Sequence, residues 1–107
     1  MLRIYPVLLE LVAQLRPVIG EVERHDSDLA RQLRRALTSG PLNVAEGSYS
    51  RGGNRTARYH TAAGSLREAK ACLEVSIALG YLSSIEPSVL SKFDHALGTL
   101  SKLTLAR

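Results

Sequence analysis

Arginine side chains are the groups in this chain best suited to bind phosphate. Residues 31–70 hold seven Arg and one Lys against two Glu, whereas the whole chain has a net charge of +4. Guanidinium groups match phosphate geometry, and in the whole chain Arg outnumbers Lys by eleven to three. We therefore expect six arginines to bind the backbone of RNA or DNA by charge, without reading bases: Arg31, Arg34, Arg35, Arg51, Arg55 and Arg58.

The shortage of acidic residues in the same segment bears on what these arginines do. Between Arg31 and Lys70 only Glu46 and Glu68 are acidic. Salt bridges between residues four apart therefore cannot account for the basic groups. Two alternatives stay open: a solvated helix face, and a surface that docks an acidic protein partner.

Residue types that catalyse reactions or hold metals are present but do not form recognisable sites. The three histidines lie on separate segments, at no metal-ligand spacing. Cys72 lies in an apolar helical segment, which favours an inert thiol, and Ser65 lacks the preceding strand of a nucleophile elbow. Gly52 and Gly53 can form an anion-holding nest, but no Lys-Ser/Thr follows at phosphate-loop spacing. The sequence therefore predicts no enzyme activity, no metal and no cofactor.

Length and composition are those of one globular domain over residues 1–107. Hydrophobic residues make up 45% and aromatic residues 5% of the chain, so we expect a core of Leu, Ile, Val and Ala. The single Cys excludes an internal disulfide and fits a reducing cytoplasm. Glu10 interrupts the first apolar run, and no small-residue cleavage site follows it. We therefore predict a cytoplasmic protein with no signal peptide and no membrane span.

Apolar residues recur at helical spacing in four segments, which predicts an all-α fold, an antiparallel up-down four-helix bundle. The first helix should cover about residues 2–24, with a kink or a break at Pro17. The second should begin after an N-cap at Asp26 or Ser27 and end near Gly47. The predicted core positions of these two helices are Ile4, Leu8, Leu11, Leu15, Val18, Val22, Leu29, Leu33, Ala36, Leu37, Gly40 and Val44.

The third and fourth helices follow a glycine-rich corner at residues 48–54. The third should begin with Asn54 as its N-cap and run to about Leu79, with Gly80 as a left-handed stop. The fourth should follow a cap at Ser84, with Pro87 in its first turn. The predicted core positions here are Tyr59, Ala62, Ala63, Leu66, Leu73, Ile77, Val89, Phe93, Ala96, Leu97, Leu100 and Leu103.

The second helix contains Gly40 and Pro41 near its middle, where an isolated helix would break. The apolar period resumes at Val44, so we predict a kinked helix that continues. Pro41 frees the carbonyl of Leu37, and Asn43 is placed to donate to it. Asn43 and Glu46 would then be a polar pair that satisfies the bend.

The third helix has a second apolar line, formed by Cys72, Val75 and Leu79, on the side away from its core stripe. A helix that is apolar on two faces usually has a neighbour on both. In a small bundle the outer neighbour can be another subunit. We therefore predict that these three residues form the interface of a homo-oligomer.

Three blocks in this order, residues 33–51, 62–69 and 78–82, resemble a family of small bacterial four-helix-bundle proteins. That family takes in the 23S rRNA-intervening-sequence proteins and the accessory proteins of diversity-generating retroelements. The resemblance implies a ring of about five subunits, a homopentamer, associated with a reverse transcriptase and with nucleic acid. The chain departs from the family pattern at Gly40, where an apolar β-branched residue is usual, and at His60, where an apolar one is.

Two functions follow from these observations. The first is a non-enzymatic, oligomeric helical bundle that binds RNA or DNA through its basic face, as an accessory to a reverse transcriptase or in an rRNA context. The second is a protein-interaction adaptor that docks an acidic partner through the same face.

Overall fold

A computed structural model of the chain describes residues 1–105 and consists of four helices without a strand in that range. They are α1 (Ile4–Glu23), α2 (Ser27–Ser48), α3 (Gly52–Ala78) and α4 (Pro87–Leu105). The helices α1 and α3 each pack against both α2 and α4, so the four surround one core. The predicted all-α four-helix bundle is confirmed.

The core is aliphatic, as the composition predicts, with Phe93 and Tyr59 as its buried aromatic side chains. Most predicted core positions are buried, but Val18, Leu29, Ile77 and Leu97 are only half-buried, and α1 buries Ile19 where Val18 was expected. Leu103 is 38% exposed. In α3, the buried set also includes Ala69, Cys72 and Ser76, which were not predicted, because this helix packs against neighbours on two sides.

Two glycines of α2 allow α3 to come close. A Cβ atom at Gly40 would lie 2.7 Å from Leu66 Cδ2, and one at Gly47 would lie 2.5 Å from Tyr59 Cε1. Real Cβ atoms do not approach other atoms so closely, and both neighbours are buried. The later residue of α2 meets the earlier residue of α3, so these two helices run antiparallel.

Both helices with an internal proline continue through it. The structure keeps α1 as one helix past Pro17 and α2 as one helix past Pro41, so the alternative of a break at Pro17 is wrong. Bends at these points stay predictions. The expected role of Asn43 is also wrong: its amide donates to the Ser39 carbonyl at 2.9 Å, one turn back, and not to Leu37.

One end of the bundle is fixed by Asp26, the residue before α2. Its Oδ1 accepts from the Leu29 amide at 3.0 Å, which confirms the predicted N-cap. Its Oδ2 accepts from the Tyr81 hydroxyl at 3.3 Å, and the His25 ring stacks on the Tyr81 ring with centroids 5.1 Å apart. The α1–α2 turn and the α3–α4 connection therefore meet at this end.

Residues at the ends of α3 and α4 differ in part from the predictions. Gly80 has a φ of 81° and stops α3 as expected, with Tyr81 N donating to Ser76 O at 2.8 Å in a Schellman arrangement. The residue before α3 is Arg51, not Asn54, since Gly52 adopts a φ of 55° and starts the helix. Pro87 is the first residue of α4, so Ser84 lies outside the helix and does not cap it.

Candidate nucleic-acid interface

All six predicted phosphate-binding arginines are exposed, but they form two groups at different heights along the bundle. Arg31, Arg34 and Arg35 lie on the first half of α2. The other three lie at the opposite end of α2, where it turns into α3. At about 1.5 Å per residue, Arg35 and Arg51 are separated by roughly 24 Å along this edge.

The three arginines of α2 do not share one face. Arg34 turns toward α1, where its Nη2 lies 3.5 Å from Glu23 Oε1. Arg31 pairs with Asp28 on its own helix, at 3.2 Å. Arg35 turns toward α3 and forms no ion pair with any residue in 1–105. Two of the three charges are thus balanced by acids that precede the basic segment 31–70 in the sequence.

The arginines at the α2–α3 corner contact uncharged oxygen atoms. The Nε of Arg55 donates to the carbonyls of Gly47 and Ser50 at 3.2 and 3.0 Å, which satisfies the end of α2. The Nη1 of Arg58 lies 3.4 Å from Asn43 Oδ1. Arg51 precedes α3 and forms no ion pair within residues 1–105. The positive charges of this corner therefore have no acidic partner in the described chain.

An open groove of about 520 Å³ lies between α2 and α3, and Arg35 is the one of the six arginines that lines it. Ser39 and Ser65 face each other across it, with their hydroxyl oxygens 2.7 Å apart. The Asn43 amide also donates to Ser39 Oγ at 3.1 Å, and Arg58 in turn donates to Asn43. A continuous polar chain therefore runs from the groove to the corner. The other residues that line the groove are Gln32, Arg35, Ala36 and Glu68.

Comparison with protein families shows that residues 2–103 match the 23S rRNA-intervening sequence protein family. The chain belongs to this family. Among curated proteins and among solved structures, none shows a significant match. The match covers all four helices up to Leu103, so the family assignment applies to the bundle as a whole.

The predicted oligomer interface of this 23S rRNA-intervening sequence protein looks different in three dimensions. Cys72 is only 6% exposed and packs inside its own subunit, because α3 turns that side toward the core. Burial, and then the nearby Glu68 carboxylate, raise the pKa of the Cys72 thiol. Val75 and Leu79 are 45% and 55% exposed. They are the two members of the set that a second subunit can reach.

The four residues predicted at the bend of α2 differ in burial and in their contacts. Gly40 and Pro41 are buried, and Gly40 accommodates Leu66. Asn43 belongs to the polar chain of the groove. Glu46 has an exposed side chain, while its carbonyl accepts from Ser50 Oγ at 2.9 Å, so Asn43 and Glu46 do not pair as predicted.

Sequence reasoning missed the groove itself. Ser39 and Ser65 are 26 positions apart, and nothing in their local sequence signals that their hydroxyls meet. In the sequence alone, Glu68 is only one of the two acids among the basic residues of segment 31–70. The crossing of α2 and α3, set by Gly40 and Gly47, brings these residues together.

Two further properties concern the described residues 1–105. In that range no three His, Cys, Asp or Glu side chains gather closely enough to hold a metal ion. None of the four helices there has both the length and the apolar character needed to span a membrane.

Proposed function

We propose that this protein is a non-enzymatic helical bundle that binds nucleic acid, RNA or DNA, through its basic face. The observation that carries the proposal is the absence of a carboxylate partner, within residues 1–105, for four of the six arginines: Arg35, Arg51, Arg55 and Arg58. These side chains lie along the α2–α3 edge. Uncompensated guanidinium groups in a row are what a phosphate backbone binds.

The two paired arginines can still contribute to binding. The ion pairs of Arg31 and Arg34 are exposed, with N–O distances of 3.2 and 3.5 Å. Exposed pairs contribute only about 0–1 kcal/mol each. A phosphate can therefore displace Asp28 or Glu23 at little cost, and the proposed surface extends from the α2–α3 edge across α2 to Arg31 and Arg34, on the side of α1.

The family name supports an RNA-related setting for this binding, since it refers to intervening sequences of 23S rRNA. We further propose that the protein acts in the bacterial cytoplasm as a homo-oligomer of about five subunits, in an rRNA context or as an accessory to a reverse transcriptase. Such an oligomer would repeat the basic surface once per subunit. Weak binding by one copy would then add up on a long nucleic acid through avidity.

A protein-interaction adaptor is the second candidate, and one exposed side chain favours it. Leu42 is 64% exposed on α2, between Arg35 and the arginines of the corner. A large apolar side chain inside a basic surface suits a protein partner that offers both acids and an apolar contact. The same residue has no evident use against a phosphate backbone.

The test compares two triple variants with the same loss of charge. The first removes exposed arginines without carboxylate partners from the basic face: Arg35→Gln, Arg51→Gln and Arg58→Gln. The second, a control, removes the three exposed arginines of the α1 segment: Arg3→Gln, Arg16→Gln and Arg24→Gln. Filter binding with a long RNA and a long DNA is measured at several salt concentrations, and circular dichroism checks that both variants are folded.

The expected result follows from counterion release. Each phosphate contact contributes about one unit to the slope of log affinity against log salt. The first variant should lose about three units of slope, and the control should lose much less. The nucleic-acid proposal would be refuted if the wild type did not bind, if its binding did not depend on salt, or if the two variants lost equal amounts of slope. The protein-interaction adaptor would then be the better-supported function.

A further inference from the structure

The groove between α2 and α3 holds two opposite charges that do not meet. Arg35 and Glu68 both line it, and neither takes part in an ion pair within residues 1–105. Its volume of about 520 Å³ lies within the range of roughly 300–1,000 Å³ that is usual for ligand sites. A ligand that suits this groove must satisfy a cation and a carboxylate together.

The floor of the groove is already organised. Ser39 Oγ accepts from Ser65 Oγ at 2.7 Å and from the Asn43 amide at 3.1 Å. No buried side-chain polar atom in the described chain lacks a hydrogen-bond partner. These hydrogen bonds hold Ser39, Ser65 and Asn43 in place and leave the exposed charged groups of the groove to select the ligand. Arg35 and Glu68 are therefore the groups that determine which ligand binds in the groove.

Arg35 and Glu68 can bind different chemical groups of a nucleic acid. Arg35 needs an anion, which every phosphate supplies. Glu68 accepts hydrogen bonds and repels phosphate, so it needs a donor close to the phosphate. A DNA backbone consists of acceptors only, whereas the ribose of RNA adds a 2′-hydroxyl that can donate.

We propose that this groove binds one nucleotide of single-stranded RNA, with its phosphate on Arg35 and its 2′-hydroxyl donating to Glu68. The inference rests on the proposed function and narrows it from RNA or DNA to RNA. Glu68, an acid on a surface that binds a polyanion, then serves to exclude DNA.

A nearby aromatic side chain indicates that the strand is single. Tyr49 is 84% exposed and directly follows α2, two steps of seven residues beyond Arg35, a spacing that keeps residues on one side of a helix. An unpaired base can stack on such a ring, whereas a base inside a duplex cannot. The distance along α2 is roughly 21 Å, which leaves room for several nucleotides between groove and ring.

The experiment measures fluorescence anisotropy with RNA and DNA oligonucleotides of about twenty nucleotides. Both have the same sequence of A, C and G, so that they differ only at the 2′ position. Wild-type protein should bind the RNA about tenfold more tightly, which corresponds to about 1.4 kcal/mol for one hydrogen bond to a charged group.

Two variants with the same loss of charge then test the carboxylate. Glu68→Gln should abolish the preference for RNA while DNA binding holds or improves, because a repulsive charge is gone. Glu74→Gln removes another exposed acid of α3, one that does not line the groove, and should keep the preference for RNA. Tyr49→Ala should weaken the binding of both the RNA and the DNA strand, by about 5- to 150-fold if one base stacks there. The ratio of the two affinities should stay unchanged.

The outcomes separate this inference from the proposed function. Equal wild-type affinity for RNA and DNA, or a preference that survives Glu68→Gln, overturns the inference while salt-dependent binding still supports the basic face. Tighter binding to a duplex of the same sequence overturns the single-strand assignment. Absence of binding to either strand refutes the proposed function, and the nucleotide site with it.

Discussion

Replacing Gly47 by alanine tests the close approach of α2 and α3 on which the groove depends. The new methyl carbon would lie 2.5 Å from Tyr59 Cε1, 2.8 Å from its Cδ1 and 3.2 Å from Arg58 Cβ. Tyr59 is buried, and a rigid ring cannot move aside as the end of a flexible side chain can. Overpacking of this kind typically costs about 1–3 kcal/mol, and the better helix propensity of Ala returns about 1 kcal/mol. We therefore expect a net loss of about 0–2 kcal/mol in the free energy of unfolding, in place of the gain that Ala brings in an open position.

Replacing glycine by alanine at two other helical positions should increase the free energy of unfolding. Gly20 and Gly64 also lie inside helices, but a Cβ at either position would meet nothing within 4 Å. Gly20→Ala and Gly64→Ala should each raise the free energy of unfolding by about 0.5–1 kcal/mol, because Ala loses less conformational entropy on folding. The three variants differ only in what surrounds the added methyl group.

The assay is thermal unfolding followed by circular dichroism, at one protein concentration for all variants so that any self-association is held equal. For a domain of this size 1 kcal/mol corresponds to about 4–8 °C. A double-mutant cycle with Tyr59→Ala adds a second measurement, since the cost of Gly47→Ala should shrink once the ring is gone. If Gly47→Ala were as stabilising as Gly64→Ala, the described contact between α2 and α3 would be wrong.

Three further predictions concern other parts of the bundle. Asp26→Ala should cost about 1 kcal/mol or more in chemical unfolding, because α2 loses its N-cap, whereas Asp26→Asn should cost less. Val75→Arg should lower the mass measured by light scattering if this face joins subunits, while Leu9→Arg, on a comparably exposed site of α1, should not. Because burial raises the pKa of the Cys72 thiol, the folded state holds that proton more tightly than the unfolded chain. The free energy of unfolding should therefore fall as pH rises above about 8.5, and Cys72→Ala should remove this fall.

Helix content and most of the core could be predicted from periodicity, because each helix turns one apolar side inward over several turns. The stop at Gly80 and the cap at Asp26 could also be predicted, since both depend on residues next to each other in the chain. Cys72 was misplaced for the opposite reason. Periodicity shows that a helix has two apolar sides, but not which neighbour covers each side.

The candidate site could be predicted only as a list of charges. Nothing local indicates that Arg34 turns toward Glu23 of α1 while Arg35 turns toward α3. The partner of an arginine depends on where neighbouring helices place their acids, and this is a tertiary property. The groove is a stronger example, because its Ser39–Ser65 contact joins residues 26 positions apart.

The contact between Asp26 and Tyr81 has a consequence for how the bundle opens. One carboxylate starts α2 and also ties the α1–α2 turn to the chain beyond α3. Local fluctuations that loosen this end must therefore break both contacts together, so amide protons near it should exchange slowly with solvent. The opposite end carries Arg51, Arg55 and the exposed Tyr49, and the hydrogen bonds of Arg55 there join only the end of α2 to the start of α3, its neighbour in the chain. Reversible fraying should start there, which puts the most adaptable backbone of the molecule beside the proposed RNA strand.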